Sequence, residues 1–442
     1  MGFINLMKGL FDRLFSKKDI KSALNIDVAV SQEMLDRIDL WQRMYAGCAP
    51  WLNEGVVSLH LESAICREFS NIVLSEMNAK VSNEKLNDLF CSATRDINIH
   101  FQEALATGAM IIKPLGEDKV QFVAQNAFIP VEYNIWGVPV KVIFPEFKQL
   151  GDKYYTRLEY HSLDPVNGLT ITNKAYCSTS KSTLGREIQL TDVAEWSDLE
   201  SQISFPLMKR NAFGYYRNPL KNTVDGTHSG VSVFESAVGI IEKCDIQFGR
   251  LDWEFESGER AVHVDPSALK ANGKLPKLNK RLYRAVDIDF KDGELIKEFS
   301  PQLRQGDYIA GLEEYKRNIE FEVGLSYGDI SNVNLVEKTA TEIKAGKKRK
   351  YDTVTAIQNN LKACLDDFVY ALAFWNAQVL SGYEFICDFK DSILADDEAE
   401  REQDRKDVAM GVMRLEEYRS KWYGETVETA LASLPDIAKV IE

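Results

Sequence analysis

An apolar stripe between residues 234 and 255 constrains the fold of this chain more than any other feature. Its members recur at steps of three and four residues, and they are Phe234, Ala237, Ile241, Cys244, Phe248, Leu251 and Phe255. This spacing places all of these side chains on one face of an α-helix. At a rise of 1.5 Å per residue the helix is about 30 Å long, and its apolar face needs a partner.

A second stripe of similar length comprises Tyr308, Leu312, Tyr315, Ile319 and Val323. The glycine that follows it, Gly324, is a natural C-terminal stop for the helix. Between the two stripes lie two short β-type runs, "ERAVHVD" and "LYRAVDIDF", separated by the Gly/Pro/Lys-rich "KANGKLPKLNK". We therefore expect two long helices that pack on each other and are joined by a small β-containing excursion.

The second long helix leads into a polar loop and then into a third helix. The loop, residues 325–338, contains "SYGDISNVN", whose residues tolerate several backbone conformations. The following "TATE" is a capping box, in which Thr339 caps free backbone N–H groups and Glu342 reaches back. A stripe from Val354 onward extends this helix to about residue 378, which predicts a helix of roughly forty residues.

The N-terminal half changes its periodicity once. Residues 31–108 show helical spacing in three successive segments. From residue 109 to about residue 205 the pattern is β-rich without a βαβ signature, and "GED" and "WGVP" are typical of hairpin turns. We therefore expect an antiparallel β insertion, followed by a loop at "YYRNPLKNTVDGTHSG". With a further strand at "YEFICDF" and a charged helical end, the sequence predicts an α+β fold.

Charge and cysteine content restrict the partners and the compartment. The 442-residue chain carries a formal net charge of −14, which argues against a protein that coats nucleic acid, because such a protein needs a basic face. This charge does not exclude a protein that lets nucleic acid pass without gripping it. The seven cysteines include no CxxC pair, so we expect free buried thiols in a reducing environment.

The amphipathic N-terminus, residues 1–20, is expected to pack against the body of the protein or a neighbouring subunit rather than on a membrane. Its apolar side chains share one helical face, and Lys8, Asp12 and Arg13 interrupt the apolar core that a signal peptide needs. No run in the sequence approaches the roughly 18 apolar residues of a transmembrane helix.

Sequence signatures of catalysis are missing. The five histidines show no HExxH or other ligand spacing, and neither a phosphate-binding loop nor a GxSxG motif is present. The acidic turn "DIDFKDGE", residues 287–294, lacks the spacing of a calcium loop. We therefore expect no enzymatic activity, no metal site and no cofactor.

One basic run, "KAGKKRK", stands out within the third long helix of this acidic chain. Lys344 and Lys348 share one face of that helix, with Lys347 and Tyr351 beside them. The spacing leaves two interpretations open, a solvated helix face and a contact with phosphate.

The order of these elements resembles that of bacteriophage portal proteins, in particular those of tailed phages that infect Gram-positive bacteria. "LWQRMYAG" and "SAICREFSNIVLSE" are similar to the N-terminal helices of that family, and "FIPVEYNIWGVPVKVIF" with "KYYTRLEYH" is similar to its β wing. "GVSVFESAVGIIEKCDIQFGRLDWEFESGERAVHV" resembles the first stem helix as it leads into the clip. "EVGLSYGDIS" and "EKTATEI" resemble the end of the second stem helix, the tunnel loop and the start of the next helix.

The resemblance implies a head–tail connector portal, a dodecameric ring at one capsid vertex of the virion that is assembled in the cytoplasm of the host bacterium. Double-stranded DNA would pass through its channel during packaging and ejection. The expected partners are the terminase large subunit, which would hydrolyse ATP, a head–tail connector or adaptor protein, and the major capsid and scaffolding proteins. The implied regions are the wing (1–230), the stem helices (231–257 and 306–324), the clip (258–305), the tunnel loop (325–338), the helix behind the loop with the return to the wing (339–394) and the crown (395–442).

The resemblance also implies site residues. Those of the DNA channel and tunnel loop are Ser326, Tyr327, Asp329, Ser331, Asn332, Asn334, Lys338, Lys344 and Lys348. Those of stem packing are Phe234, Ile241, Phe248, Leu251, Phe255, Tyr308, Leu312, Tyr315 and Ile319. A charge introduced at Phe248 or Leu312 is then expected to abolish rings.

Two alternatives stay open. One is another ring-forming structural or connector protein of a virion, which would lack the arrangement of long helix, loop and long helix. The other is a DNA-packaging enzyme, which would need a metal-binding carboxylate cluster or a phosphate loop.

Overall fold

The fold is that of a computed structural model, which describes residues 23–75, 77–116, 119–264, 283–285, 296–332, 340–377, 382–389 and 397–433. It is a mixed fold with 45% helix and 23% strand, in agreement with the predicted α+β class. The amphipathic segment at residues 1–20 lies outside the described residues.

The N-terminal region is helical with one short strand. Its elements are α1 (Gln32–Tyr45), α2 (Leu61–Ser75), β1 (Met77–Val81), α3 (Glu84–Ala93) and α4 (Ile97–Thr107). The third helical segment predicted from the sequence is therefore two helices. The hydroxyl of Thr94 donates to the carbonyl of Phe90 and closes the last turn of α3. The strand β1 was not predicted.

The β insertion is antiparallel throughout, as predicted. The strands are β2 (Ala109–Pro114), β3 (Val120–Ala124), β4 (Ile129–Tyr133), β5 (Pro139–Leu150), β6 (Lys153–Asp164), β7 (Gly168–Ser178), β8 (Arg186–Ile188), β9 (Gln202–Phe205) and β10 (Gly214–Arg217). One sheet has the order β4-β5-β6-β7-β8, with β9 also paired to β7, and a second has the order β10-β2-β3. The strand β10 overlaps the start of the segment predicted as a loop.

Both predicted long helices are present, as α5 (Val238–Ser257) and α6 (Gln305–Val323), and they pack on each other. A small sheet is formed by β11 (Ala261–Val264), β12 (Tyr283–Ala285) and β13 (Ile296–Phe299). In this sheet β11 runs parallel to β12 and antiparallel to β13. The strand β13 was not predicted. The first predicted member of the stripe, Phe234, precedes α5 and lies before a single 3₁₀ turn.

The third long helix is confirmed as α7 (Ala340–Trp375), which is 36 residues long. Its stripe from Val354 to Leu372 is buried against β10, β2 and the N-terminal helices. The predicted strand after it is β14 (Phe385–Phe389), which pairs antiparallel with β1. The charged end is helical, with α8 (Asp397–Ala409), α9 (Leu415–Tyr423) and α10 (Val427–Ala432).

One large apolar core joins α1 to α4 with α5, α6 and α7. Of the residues assigned to stem packing, Phe234, Ile241, Leu312 and Ile319 are buried in this core, and Phe248 and Tyr315 are partly buried against it. Leu251 and Tyr308 are half-buried, and Phe255 is 44% exposed. The stripes of α5 and α6 are therefore covered at the end near the N-terminal helices and open at the end near β11.

All seven cysteines are free, as predicted. Four of them are buried, namely Cys66, Cys244, Cys364 and Cys387. The expectation of buried thiols is wrong for Cys91, which is exposed because it lies on the outer face of the short helix α3, while Cys48 and Cys177 are half-buried.

Candidate functional site

The segment between α6 and α7 contains most of the site residues implied by the sequence. Ser326, Tyr327, Asp329, Ser331 and Asn332 belong to the described part of the loop, residues 325–332. Asn334 and Lys338 lie outside the described residues, as does Thr339 with the predicted capping box. Lys344 belongs to α7, but its side chain lies outside the described part of the structure. The side chain of Lys348 is exposed.

A buried carboxylate of α6 holds the described part of the loop. Glu320, in the last turn of α6, is fully buried. Its Oε1 accepts hydrogen bonds from the backbone N–H groups of Gly328 at 3.0 Å, Ile330 at 2.6 Å and Ser331 at 2.8 Å. Its Oε2 accepts one from the Ser331 hydroxyl at 2.8 Å. The loop backbone thus forms a concave anion site that the carboxylate of α6 fills.

A second carboxylate of α6 extends this attachment. Glu313 lies two turns before Glu320, and its Oε2 accepts a hydrogen bond from the backbone N–H of Asn332 at 2.6 Å. Its Oε1 accepts one from Lys316 at 2.8 Å. Burial alone would raise the pKa of Glu313, but the hydrogen bonds from Lys316 and Asn332 hold it below its usual value. Two carboxylates on one face of α6 therefore bind consecutive parts of the loop.

In the basic run of α7, some side chains contact the loop and others are exposed to solvent. Arg349 donates a hydrogen bond to the carbonyl of Leu325 at 3.0 Å. Its guanidinium lies 4.8 Å from the ring centre of Phe321 and 5.2 Å from that of Tyr327, which is cation–π geometry. Lys347 and Lys348 are exposed. In the described part of the run, Lys347 and Lys348 thus face solvent, whereas Arg349 contacts the loop.

Lys350 ties the loop to the N-terminal helices. Its Nζ lies 3.1 Å from Asp329 of the loop and 3.3 Å from Glu68 of α2. Asp329 also accepts a hydrogen bond from the backbone N–H of Ser326 at 2.8 Å. Together these contacts make residues 325–332 a compact turn between α6, α7 and α2.

Sequence reasoning missed Glu313, Glu320 and Glu68, and it assigned no individual role to Arg349 or Lys350. A partial signal existed, because Glu313 and Glu320 stand seven residues apart beside the apolar stripe of α6. That spacing places them on one helical face at the edge of the core. Their partners are backbone N–H groups, which a side-chain pattern does not reveal.

A buried ionic cluster lies in the β insertion. Glu159 Oε1 is 2.6 Å from Lys113 Nζ and 2.6 Å from His161 Nε2, and Glu159 Oε2 is 3.1 Å from Arg157. Burial alone would raise the pKa of Glu159, but these neighbours hold it well below its usual value. The cluster borders a cleft of about 490 Å³. The cluster links β2 to β6 through the ion pair between Lys113 of β2 and Glu159 of β6.

Two carboxylates are buried, that of Glu62 on α2 and that of Asp245 on α5. Asp245 of α5 accepts hydrogen bonds from the indole N–H of Trp51 and the backbone N–H of Leu59, both at 2.9 Å. Both carboxylate oxygens of Glu62 are buried and have no hydrogen-bond partner within the described residues. Burial raises the pKa of Glu62 to about 7, and the charge of Asp245 acts in the same direction.

Within the described ranges, no group of three or more His, Cys, Asp or Glu side chains is arranged to hold a metal ion. None of the helices in that part of the chain combines the length and the apolar character needed to cross a membrane. A comparison with profiles of known protein families and a comparison with curated proteins found no match for this chain.

Proposed function

We propose that this chain is the subunit of a phage portal, a ring at one capsid vertex through which double-stranded DNA is packaged and ejected. One observation carries the proposal: two long helices, α5 and α6, pack on each other around a small β excursion and are followed by a loop and a 36-residue helix. The order of the phrases in the sequence that resemble portal proteins supports the same assignment.

The charge of the chain agrees with transport rather than tight binding of DNA. Duplex DNA carries one charge per about 1.7 Å, so a channel rich in basic contacts would retain it. The net charge here is −14. In a ring every exposed cation is repeated by symmetry, so Lys347 and Lys348 alone would supply a girdle of weak contacts.

In the proposed ring, α5 and α6 are the stem, β11 to β13 belong to the clip, and the β insertion belongs to the wing. Residues 325–338 are the tunnel loop, and α8 to α10 form the crown. The terminase, a connector or adaptor protein and the capsid proteins are the proposed partners. ATP hydrolysis is assigned to the terminase, and this chain is assigned no catalytic residue.

Electron microscopy of the purified full-length protein tests this function. We expect closed rings, twelvefold in the assembled state, with a central hole wide enough for duplex DNA. Particles that remain monomeric or grow into open filaments under all conditions would overturn the proposal. Incubation of the protein with duplex DNA and Mg²⁺ tests the packaging-enzyme alternative, for which metal-dependent cleavage is the expected result.

A further inference from the structure

We propose that Glu320 is the positioning residue of the loop, and that its carboxylate couples the conformation of residues 325–332 to the position of α6. The inference rests on the proposed function only for its consequence, which is that movement of a stem helix would move the channel loop. The attachment itself is a property of the single chain.

The geometry singles out Glu320 because four donors converge on one buried carboxylate. Three of them are backbone N–H groups of residues 328, 330 and 331, and the fourth is the Ser331 hydroxyl. Hydrogen bonds to a charged acceptor are stronger than those between neutral groups. A buried N–H group that loses its acceptor keeps the full cost of desolvation, so the loop conformation depends on this side chain.

The backbone of the loop is shaped for this carboxylate. Gly328 adopts a φ of +100°, a conformation that L side chains rarely take, and it turns the N–H of the loop toward α6. Ser331 is itself buried. The two donors of Ser331 therefore cannot be satisfied by water while the loop keeps its present conformation.

The contacts from α7 differ in kind from those of Glu320. Within the loop, Arg349 donates to the carbonyl of Leu325 and lies over the ring of Tyr327, and Lys350 pairs with the side chain of Asp329. Neither cation accepts a hydrogen bond from a backbone N–H group of the loop. Both cations retain some exposure, so water can replace part of each contact. Loss of the Glu320 carboxylate is thus expected to release residues 328–331 even while the contacts from α7 persist.

Hydrogen–deuterium exchange on the full-length protein tests the inference. In Glu320→Ala we expect amides of residues 328–331 to exchange at least about tenfold faster, because each lost charged hydrogen bond corresponds to about that factor. Glu320→Gln, which keeps one acceptor oxygen, and Ser331→Ala, which removes only the hydroxyl donor, are expected to give smaller increases. The matched control is Glu322→Ala, which removes an exposed glutamate from the same turn of α6 and should leave the loop unchanged.

Two results would overturn the inference. One is loop exchange in Glu320→Ala that equals the wild-type rate. The other is an equal loss of protection along α6 and α7 in both Glu320→Ala and Glu320→Gln, which would make Glu320 a residue of the helix packing.

Electron microscopy of the same samples separates this inference from the proposed function. A loop that responds as expected in a protein that forms no rings supports the positioning role and contradicts the portal assignment. Rings whose loop does not respond contradict the positioning role alone.

Discussion

The carboxylate of Glu62 is buried without a compensating partner among the described residues. It lies in the first turn of α2, is almost completely buried, and faces Asp245 of α5 without a hydrogen-bond partner within the described residues. Burial is the main cause of its raised pKa, and Asp245 adds to it. A carboxylate in this position resists ionisation, so the stability of the fold around Glu62 depends on pH.

We predict that the protein loses stability as the pH rises from about 4.5 to about 7, the unfolded and folded pKa values of Glu62. In this window the unfolded chain releases the proton while the folded chain retains it, so the free energy of unfolding falls. The full loss is about 3 kcal/mol. Glu62→Gln should remove this loss, which urea unfolding at about pH 4 and about pH 8 would measure.

The control for this prediction is Glu33→Gln, because Glu33 occupies the first turn of α1 but is exposed. Its pH dependence should match that of the wild type. If the stability of Glu62→Gln changes with pH as steeply as that of the wild type, Glu62 does not titrate in this window.

At the scale of whole elements, Arg349 joins the end of α6, the loop and α7 through one side chain. It stacks between Phe321 and Tyr327 and donates to the carbonyl of Leu325. A lysine has no planar group that could make the stack and the hydrogen bond together. These contacts therefore require the guanidinium group of an arginine, and a positive charge alone is not enough.

We predict that Arg349→Lys lowers the free energy of unfolding by about 1–2 kcal/mol, through loss of the stack and of the hydrogen bond. Urea unfolding measures this change. Arg250→Lys makes the same substitution at an exposed position of α5 and should shift stability by less than about 0.5 kcal/mol. Equal effects of the two substitutions would mean that the stack contributes nothing.

Periodicity predicted α5, α6 and α7 because each is long and has one apolar face. The strands β1, β10 and β13 were missed because they have only four or five residues and depend on partners distant in sequence, such as β14 for β1.

For the candidate site, the sequence predicted which segment of the chain contains it but not how its side chains are arranged. The sequence located the loop and the basic run. Nothing in it showed that Glu320 accepts hydrogen bonds from backbone N–H groups of the loop, or that the side chain of Arg349 contacts the loop instead of solvent.

At the scale of the whole molecule, the end of the α5–α6 pair near β11 exposes large apolar side chains. Trp253 and Phe255 of α5 are 66% and 44% exposed, and Ile309 of α6 is 42% exposed. Phe299 of the neighbouring strand β13 is 36% exposed. Apolar side chains exposed together mark a surface that meets another protein. In the proposed ring the neighbouring subunits would cover them. By contrast, Leu312 is buried in the core of its own chain.

This difference in burial changes which substitutions test assembly. A charge at Leu312 would disrupt the core of the subunit, and the cost of a buried unpaired charge is high. If the variant with a charge at Leu312 failed to form rings, the cause would then be misfolding of the subunit. A charge at Trp253 meets solvent in the isolated chain, so it leaves the fold intact and acts only on contacts between subunits.

We predict that Trp253→Asp gives folded subunits that do not form rings, because the charge would be buried without a partner at the subunit contact. Size-exclusion chromatography with light scattering measures the assembly, and circular dichroism measures the fold. Leu207→Asp places the same charge at an apolar residue of the β insertion that is 88% exposed, and it should still assemble. Rings of normal size from Trp253→Asp would show that the exposed end of α5 is not a subunit contact. A ring that survives this change but is lost in Leu207→Asp would place the contact on the β insertion.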